Sequence, residues 1–203
     1  MRTRLFACFT TLLLSIVYAR SQTVVTFDDL PNSTTGTFIA SPYSGLNWSN
    51  FYVLNAVIHA NVLGTNGEFY GMVTASNVAF NGFGNPAEID SPGTNFNFLS
   101  TYFTGAWNSN LNIEVEGFGS GGLLYETAVV ASATSPTLFT FNYLDIDRLY
   151  FDSYGGEPAF TPVPAYNFAM DNFTFDFVPE PSSLLLTALG AVSLVAFLRR
   201  KRG

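Results

Sequence analysis

Residues 111–116 read Leu111-Asn112-Ile113-Glu114-Val115-Glu116, and this stretch indicates the fold class. Three aliphatic side chains alternate with three polar ones. A period of two is typical of a β-strand with one buried and one solvated face. Residues 173–177 (Phe-Thr-Phe-Asp-Phe) repeat the alternation near the other end of the chain. Both stretches therefore predict antiparallel β-structure.

The rest of the chain between these stretches has the same character. Further short apolar runs lie at residues 23–27, 47–54, 69–73, 98–107, 123–130, 137–141 and 149–151, and clusters of Gly, Pro, Asn and Ser separate many of them. No long stretch shows helical periodicity. Many short strands joined by such turns are typical of a sandwich or barrel. We predict an all-β fold, a jelly-roll-type β-sandwich.

The amino-terminal end predicts export. Arg2 and Arg4 precede an apolar stretch at 5–17, and Ala19 ends a stretch suited to signal peptidase. This order is typical of a secretory signal peptide, predicted here as a signal helix within residues 1–19. The single cysteine, Cys8, lies inside it, so the exported body cannot contain a disulfide.

The carboxyl-terminal end predicts a membrane segment. Val178-Pro179-Glu180-Pro181 precede an apolar run at 183–198, which ends at Arg199-Arg200-Lys201-Arg202. As a helix this run is about 24 Å long, slightly short of a hydrocarbon core of about 30 Å. Arginine side chains can reach the interface and cover the difference. A buried core helix or a lipid-anchor signal fits less well, because the run lacks a polar face and ends in a basic cluster.

These parts, in this order, resemble the PEP-CTERM sorting tail of bacterial exported proteins. The resemblance implies recognition by an exosortase, a Gram-negative-type envelope and, often, a link to extracellular polysaccharide. We therefore divide the chain into a signal peptide (1–19), an exported domain (20–177) and a sorting tail (178–203). The expected location is the cell envelope or extracellular matrix, with the tail initially in the membrane. The positive-inside rule places its basic end in the cytoplasm.

The exported domain is strongly acidic. It contains fourteen acidic residues but only two basic ones, Arg20 and Arg148, which gives a net charge of −12. Nucleic acid and anionic lipid are thereby excluded as expected partners, because phosphate groups need a Lys/Arg surface. Cations, neutral glycans and basic proteins remain candidates.

The domain itself also resembles a known group. The stretches at 26–30 (Thr-Phe-Asp-Asp-Leu), 45–51 (Gly-Leu-Asn-Trp-Ser-Asn-Phe) and 168–173 (Phe-Ala-Met-Asp-Asn-Phe) are similar to uncharacterised secreted proteins related to carbohydrate-binding jelly rolls. In galactose-binding-type jelly rolls, acidic residues where the first and last strands meet often hold a structural Ca²⁺. The resemblance thus implies a calcium site at Asp28, Asp29 and Asp171, since Ca²⁺ prefers six to eight oxygen ligands. The alternative is that these acids cap turns or face solvent.

Two tryptophans are the candidate glycan contacts. Exposed aromatic rings can stack on the apolar faces of sugars, and Trp48 and Trp107 are the predicted platforms. The alternative is that they fill the core, where aromatic rings bury large apolar areas.

Evidence for an enzyme is weak. Glu114 and Glu116 would lie about 6.6 Å apart along a strand, a spacing used by glycosidases, but paired exposed acids are ordinary on such strands. Residues 117–122 match G-x-G-x-x-G without opening a helix, so a hairpin turn is expected. His59 has no His or Cys partner in the domain and is expected to be an ordinary strand or loop residue.

The sequence thus predicts a non-catalytic exported β-sandwich that binds or organises extracellular polysaccharide. A self-associating structural matrix protein is the first alternative. An extracellular glycoside hydrolase is the second.

Overall fold

The computed structural model describes residues 21–160 and 165–179, together with Gly190 and Arg200. The predicted signal peptide lies outside the described residues, as does the predicted transmembrane helix apart from Gly190. Five of the eight residues predicted for the sorting motif are also outside them: Glu180, Pro181, Arg199, Lys201 and Arg202. Within the described part of the chain, no helix is long and apolar enough to cross a membrane.

Strands dominate the domain. The elements in chain order are β1 Thr23–Val25, β2 Thr37–Phe38, β3 Asn47–Ser49, β4 Phe51–Asn55, α1 Ala56–Leu63, α2 Gly67–Tyr70, β5 Asn77–Asn81, a 3-10 turn at Gly82–Gly84, β6 Ala87–Asp90, β7 Phe96–Gly105, β8 Asn108–Ser109, β9 Leu111–Gly119, β10 Gly122–Ala131, β11 Thr137–Ile146, β12 Arg148–Tyr154, β13 Glu157–Pro158 and β14 Phe168–Phe177.

The long strands form two antiparallel sheets. The larger has the order β11-β7-β14-β5-β4-β2, with β1 pairing to β14; the smaller has the order β10-β9-β12-β6-β3. β8 and β13 form a separate two-stranded ribbon. The apolar faces of the two large sheets meet in one core, so the predicted β-sandwich is confirmed. The first and last strands pair directly, as the jelly-roll resemblance implied.

The core between the sheets is rich in phenylalanine. The ring of Phe98 stacks on Phe173 with centroids 4.9 Å apart and on Phe141 at 4.8 Å. Leu111, Ile113 and Val115 face this core from β9 and are fully buried, which confirms the predicted alternation.

A smaller cluster covers the opposite face of the larger sheet. Val53 of β4 faces the main core, whereas its neighbour Leu54 packs with Val78 and Ala169 in the second cluster. This follows from the period of two, because successive side chains of a strand point to opposite faces. The helices α1 and α2 contact the larger sheet through β4, β7 and β14.

The sequence predicted neither of the two helices. The predicted strand at 69–73 is wrong, because α2 occupies its first two residues. The side-chain oxygen of Asn66 caps α2 by accepting from the N–H of Phe69. Helix α1 was not predicted. Its start is fixed by Asn55, whose Oδ1 accepts a hydrogen bond from the N–H of Ile58 at 3.0 Å.

The glycine-rich stretch at 117–122 is a hairpin, as predicted. Gly119 pairs with Gly122 where β9 turns into β10. Gly122 has φ +109°, a conformation that side chains rarely adopt. The G-x-G-x-x-G pattern therefore opens no helix and offers no phosphate site.

Candidate functional site

A cleft opens on the outer face of the larger sheet, beside the helices. Its volume is about 380 Å³, within the range of roughly 300–1,000 Å³ typical of small-ligand sites. Strands β4 and β5 contribute its floor, and α1, α2 and the corner after β7 contribute the other side. The lining residues are Thr35, Gly36, Tyr52, Leu54, His59, Glu68, Phe80, Gly82, Phe83, Trp107 and Asn167.

A buried polar network forms one side of the cleft. His59 is 5% exposed and Glu68 is 3% exposed. The Nδ1 atom of His59 lies 2.8 Å from the carbonyl oxygen of Thr34, and because a carbonyl only accepts, Nδ1 carries the proton. The amide nitrogen of Asn66 lies 3.2 Å from His59 Nε2 and also donates to Oε2 of Glu68. Asn66 thus joins the two ionisable groups.

The carboxyl group of Glu68 is poorly solvated. Burial raises the pKa of Glu68 to about 7, although the hydrogen bond from Asn66 opposes this rise. Desolvation disfavours the charged form of an acid, so both protonation states are accessible near neutral pH. A buried acid with such a pKa, inside a cleft, is a physical indication of a functional site.

Trp107 stands beside this network. Its ring is edge-on to that of His59, with centroids 6.4 Å apart. The main chain of Trp107 is fixed between β7 and β8, since its carbonyl oxygen accepts from the N–H of Ala159 at 2.8 Å. The side chain is partly exposed and lines the cleft. This placement suits the predicted glycan platform, while sugar contact itself stays a prediction.

A second group of aromatic rings lines the cleft along β4 and β5. Tyr52 contacts the ring of Phe80 at 5.6 Å and that of Phe83 at 6.2 Å. Phe83 is 85% exposed, an unusual state for so large an apolar side chain. Gly36 approaches Phe80 so closely that a Cβ atom would lie 2.6 Å from its ring. Only glycine fits there without moving the aromatic wall.

The predicted exposure of Trp48 is wrong. The side chain is 2% exposed and makes edge-to-face contacts with Phe51 at 5.3 Å and Phe173 at 5.5 Å. Its indole N–H donates to the carbonyl oxygen of Tyr43 at 3.0 Å. Trp48 lies on the inner face of β3 and belongs to the core, the alternative that the sequence had left open.

The three acids of the predicted calcium site are engaged elsewhere. Asp28 accepts from the N–H groups of Ser76 and Asn77, both at 3.0 Å, which hold the loop entering β5. The hydroxyl of Tyr43 donates to Asp29 at 2.6 Å.

Asp171 completes this loop clamp. It is fully buried and accepts from the N–H groups of Val73 at 2.7 Å and Thr74 at 3.0 Å. Within the described residues, no group of three or more His, Cys, Asp or Glu side chains is arranged to hold a metal ion. The donor set of Asp28 and Asp171 fits a loop clamp better than Ca²⁺, and calcium stays a prediction.

The candidate glycosidase pair lies on the other sheet. Glu114 and Glu116 stand on the outer face of β9, away from the cleft lining. Burial and the neighbouring Glu126 carboxyl raise the pKa of Glu114. Arg148, in the adjacent strand β12, forms an ion pair with Glu88 at 3.2 Å.

Sequence reasoning missed the network of His59 and Glu68. The two residues are nine positions apart and belong to two helices that the sequence did not reveal. One signal was present: Asn66 followed two residues later by Glu68 suits a helix amino-terminus. That signal finds α2, but only the fold brings His59 to it.

The comparisons with known proteins identify the tail. Residues 177–202 match the PEP-CTERM protein-sorting motif. The chain is therefore an exported protein that exosortase machinery recognises and sorts to the cell envelope or the extracellular space. Of the tail, Val178, Pro179, Gly190 and Arg200 are described, and the N–H of Val178 donates to the carbonyl oxygen of Asn95 at 2.8 Å.

Two solved structures resemble the rest of the chain distantly. One is TmCBM61, solved in complex with β-1,4-galactotriose, at 13% identity and a TM-score of 0.33, covering 77% of this chain and 99% of that one. Another is the enzymatically active domain of tailspike protein 4 from bacteriophage CBA120, at 8% identity and a TM-score of 0.35. That likeness covers 66% of this chain and 20% of the tailspike chain. Likenesses this distant carry no argument about function. No curated protein matches the sequence.

Proposed function

We propose that the domain is a non-catalytic module that binds extracellular polysaccharide through the cleft. The observation that carries this proposal is the position of Trp107, a partly exposed ring held beside buried polar groups in a cleft of about 380 Å³. A sugar presents both apolar C–H faces and hydroxyl groups. Aromatic rings next to fixed hydrogen-bonding groups match both features.

The hydrogen bonding in the cleft supports a non-catalytic role. A general base needs a free lone pair within reach of the proton it removes. Here Nε2 of His59 already accepts from the amide of Asn66, which occupies the one free lone pair of the ring. Glu114 and Glu116, the pair that would suit a glycosidase, do not line the cleft.

The sorting tail supports the setting of this activity. In our proposal the tail holds the domain at the membrane, basic end in the cytoplasm, until the exosortase acts. The domain then meets polysaccharide outside the cell.

A polysaccharide array with the full-length protein tests the proposal. We expect saturable binding to at least one glycan, and a Trp107→Ala variant should lose it by about tenfold or more, equivalent to roughly 1.4 kcal/mol. Tyr154→Ala is the matched control, because Tyr154 is an exposed aromatic residue (47%) of the smaller sheet, outside the cleft. Equal binding by both variants, or no binding by folded protein, would refute the function.

A second candidate function, self-association, has an observation of its own. β10 and β11 each form one edge of a sheet, and in the described part of the chain neither pairs on its outer side. Five large aliphatic side chains on them are about half exposed: Leu123, Leu124, Val130, Leu138 and Leu144. Long apolar edges favour pairing with another chain.

Light scattering over a concentration series tests this second candidate. Assembly that grows with concentration and disappears in Val130→Lys would support it, because a lysine on an edge strand opposes pairing. Thr127→Lys, on the same exposed strand, tests whether the aliphatic position or any added charge matters. A monomer at all concentrations would exclude it.

A further inference from the structure

We propose that the cleft prefers an amino sugar in its ammonium form over the N-acetylated sugar and over a uronic acid. The inference rests on the proposed glycan-binding function and names the ligand class of the same cleft. It follows from three features of the lining: the sign of its charge, its aromatic walls and the burial of its one carboxyl group.

The charge of the cleft is one-sided. Glu68 is the only carboxyl group among the lining residues, and neither Lys nor Arg is among them. Arg148, the one Lys or Arg of the sandwich that the structure describes, is bound to Glu88 on the smaller sheet. A uronic acid entering the cleft would meet Glu68 with no cation to offset the repulsion. An ammonium group would instead favour the carboxylate form of Glu68, whose pKa of about 7 leaves both forms accessible at neutral pH.

The burial of Glu68 strengthens this preference. At 3% exposure the carboxyl is poorly screened by water and salt, so a cation near it interacts more strongly than at the surface. His59 is the other ionisable group of the network. Its Nδ1 donates to the carbonyl oxygen of Thr34 and its Nε2 accepts from the amide of Asn66, so the ring offers Glu68 no N–H donor.

The aromatic walls favour the same ligand. Trp107 stands on one side of the cleft, and Tyr52, Phe80 and Phe83 stand on the other. The faces of aromatic rings attract cations, most strongly for tryptophan and when water is excluded. The rings and the carboxyl group of Glu68 line the same cleft, so an ammonium group bound there has both attractions within one site. Acetylation removes the charge and with it both attractions.

Calorimetry on the full-length protein at pH 7 tests the inference with three disaccharides. The probes are β-1,4-linked glucosamine, its N-acetylated counterpart and digalacturonate. We expect the glucosamine disaccharide to bind at least about tenfold more tightly than the N-acetylated one, a difference of roughly 1.4 kcal/mol. Digalacturonate should bind most weakly. Disaccharides are used because long polycations would adhere to any acidic surface.

Two variants assign the preference to the cleft. Glu68→Gln should reduce the preference to about twofold or less, because it removes the one carboxyl group of the lining. Glu116→Gln, which removes an equal charge from the smaller sheet, should keep the full preference. If Glu68→Gln does not fold, the wild-type ranking in 0.5 M salt takes its place. A preference due to a buried charge persists there, whereas a surface effect is screened.

The outcomes separate the two proposals. Equal affinity for both disaccharides, with both lost in Trp107→Ala, overturns the ammonium preference and leaves glycan binding intact. A preference that Glu116→Gln also abolishes, or that salt removes, overturns the inference as well. Tighter binding of digalacturonate does the same. Absence of binding to all three overturns the inference, and the polysaccharide array then decides the function separately.

Discussion

The Nε2 atom of His59 lies 3.6 Å from Oε2 of Glu68, and the amide of Asn66 donates a hydrogen bond to each of these atoms. This relationship joins α1 to α2. One asparagine therefore has two roles, because the Oδ1 atom of Asn66 caps α2 at the same time.

Asn66→Ala should destabilise the protein by about 2–3 kcal/mol. It removes a helix cap, worth about 1 kcal/mol, and leaves two buried groups without their donor. Urea denaturation measures the change. Asn61→Ala is the control, because Asn61 is exposed in the same region, and it should cost less than about 0.5 kcal/mol. Equal costs for the two variants would contradict the role assigned to Asn66.

The stability of the Glu68→Gln variant relative to wild type should increase with pH. The pKa of Glu68 is about 7 in the folded protein and near 4.5 in the unfolded chain. The folded state therefore holds its proton more tightly, so wild-type stability falls as pH rises from 4.5 to 7. Gln has no such penalty. We expect the stability of the variant relative to wild type to increase by about 3 kcal/mol between pH 4 and pH 8.

Thermal denaturation at several pH values measures this difference. The free energy of unfolding of wild type is subtracted from that of the variant at each pH. This removes the contribution of the other carboxyl groups, which the two proteins share. A difference that does not depend on pH would show that Glu68 is ordinarily solvated.

The contributions of Asp28 and Asp171 to stability should change with pH in opposite directions, although both side chains hold the same loop. Burial raises the pKa of Asp171 to about 6, so its penalty appears as pH rises from about 4 to 6. Burial would also raise the pKa of Asp28, but hydrogen bonds from the main chain of Asn77 and Ser76 outweigh it and lower the pKa. Asp28 therefore stabilises the protein above its unfolded pKa, and this contribution is lost as pH falls through the folded one.

Asn substitutions test this contrast. From pH 4 to pH 7, Asp171→Asn should become more stable relative to wild type. Asp28→Asn should gain stability relative to wild type as pH falls below about 3.8, because the wild-type protein there loses the contribution of ionised Asp28. The same trend in both variants would contradict the assignment.

The same two variants test the predicted calcium site. Melting temperatures are measured in Ca²⁺ and in chelator. A higher melting temperature in Ca²⁺ for wild type, lost in both variants, would support the site.

The two tryptophans should report different surroundings. Trp48 is buried in the core and Trp107 is partly exposed in the cleft. In Trp48→Phe, the remaining fluorescence should be accessible to acrylamide and should change when a glycan binds. In Trp107→Phe the remaining signal should be shielded and unresponsive. The opposite assignment would place the ligand outside the cleft.

Trp48→Ala should lower the free energy of unfolding by about 3–5 kcal/mol, as for other large core side chains.

The sandwich was predictable because period-two patterns are local. In β9 the alternation of Leu111, Ile113 and Val115 with polar residues depends only on neighbours along the strand. The helix α1 was not predictable, because its sequence Ala-Val-Ile-His-Ala-Asn-Val-Leu is apolar on most sides and has no charged face. The same pattern suits a buried strand.

The site was less predictable than the fold, because it depends on contacts between distant parts of the chain. Trp48 and Trp107 have similar polar neighbours in the sequence, yet one packs between the sheets and the other lines a cleft. The orientation of Trp48 is decided by the pairing of β3 with β6, opposite Ile89. Likewise, the pKa of Glu68 became unusual only because the fold buries its carboxyl group.

The position of the last strand determines how the domain would resist a force applied through the tail. β14 lies inside the larger sheet, bonded to β7 on one side and to β5 and β1 on the other, and it ends at Phe177, where the sorting motif begins. A force transmitted through the tail would act along this strand and load many hydrogen bonds at once in shear. An edge strand would instead detach one bond at a time. A tether at this point would therefore place the load on a strand that is paired along both sides.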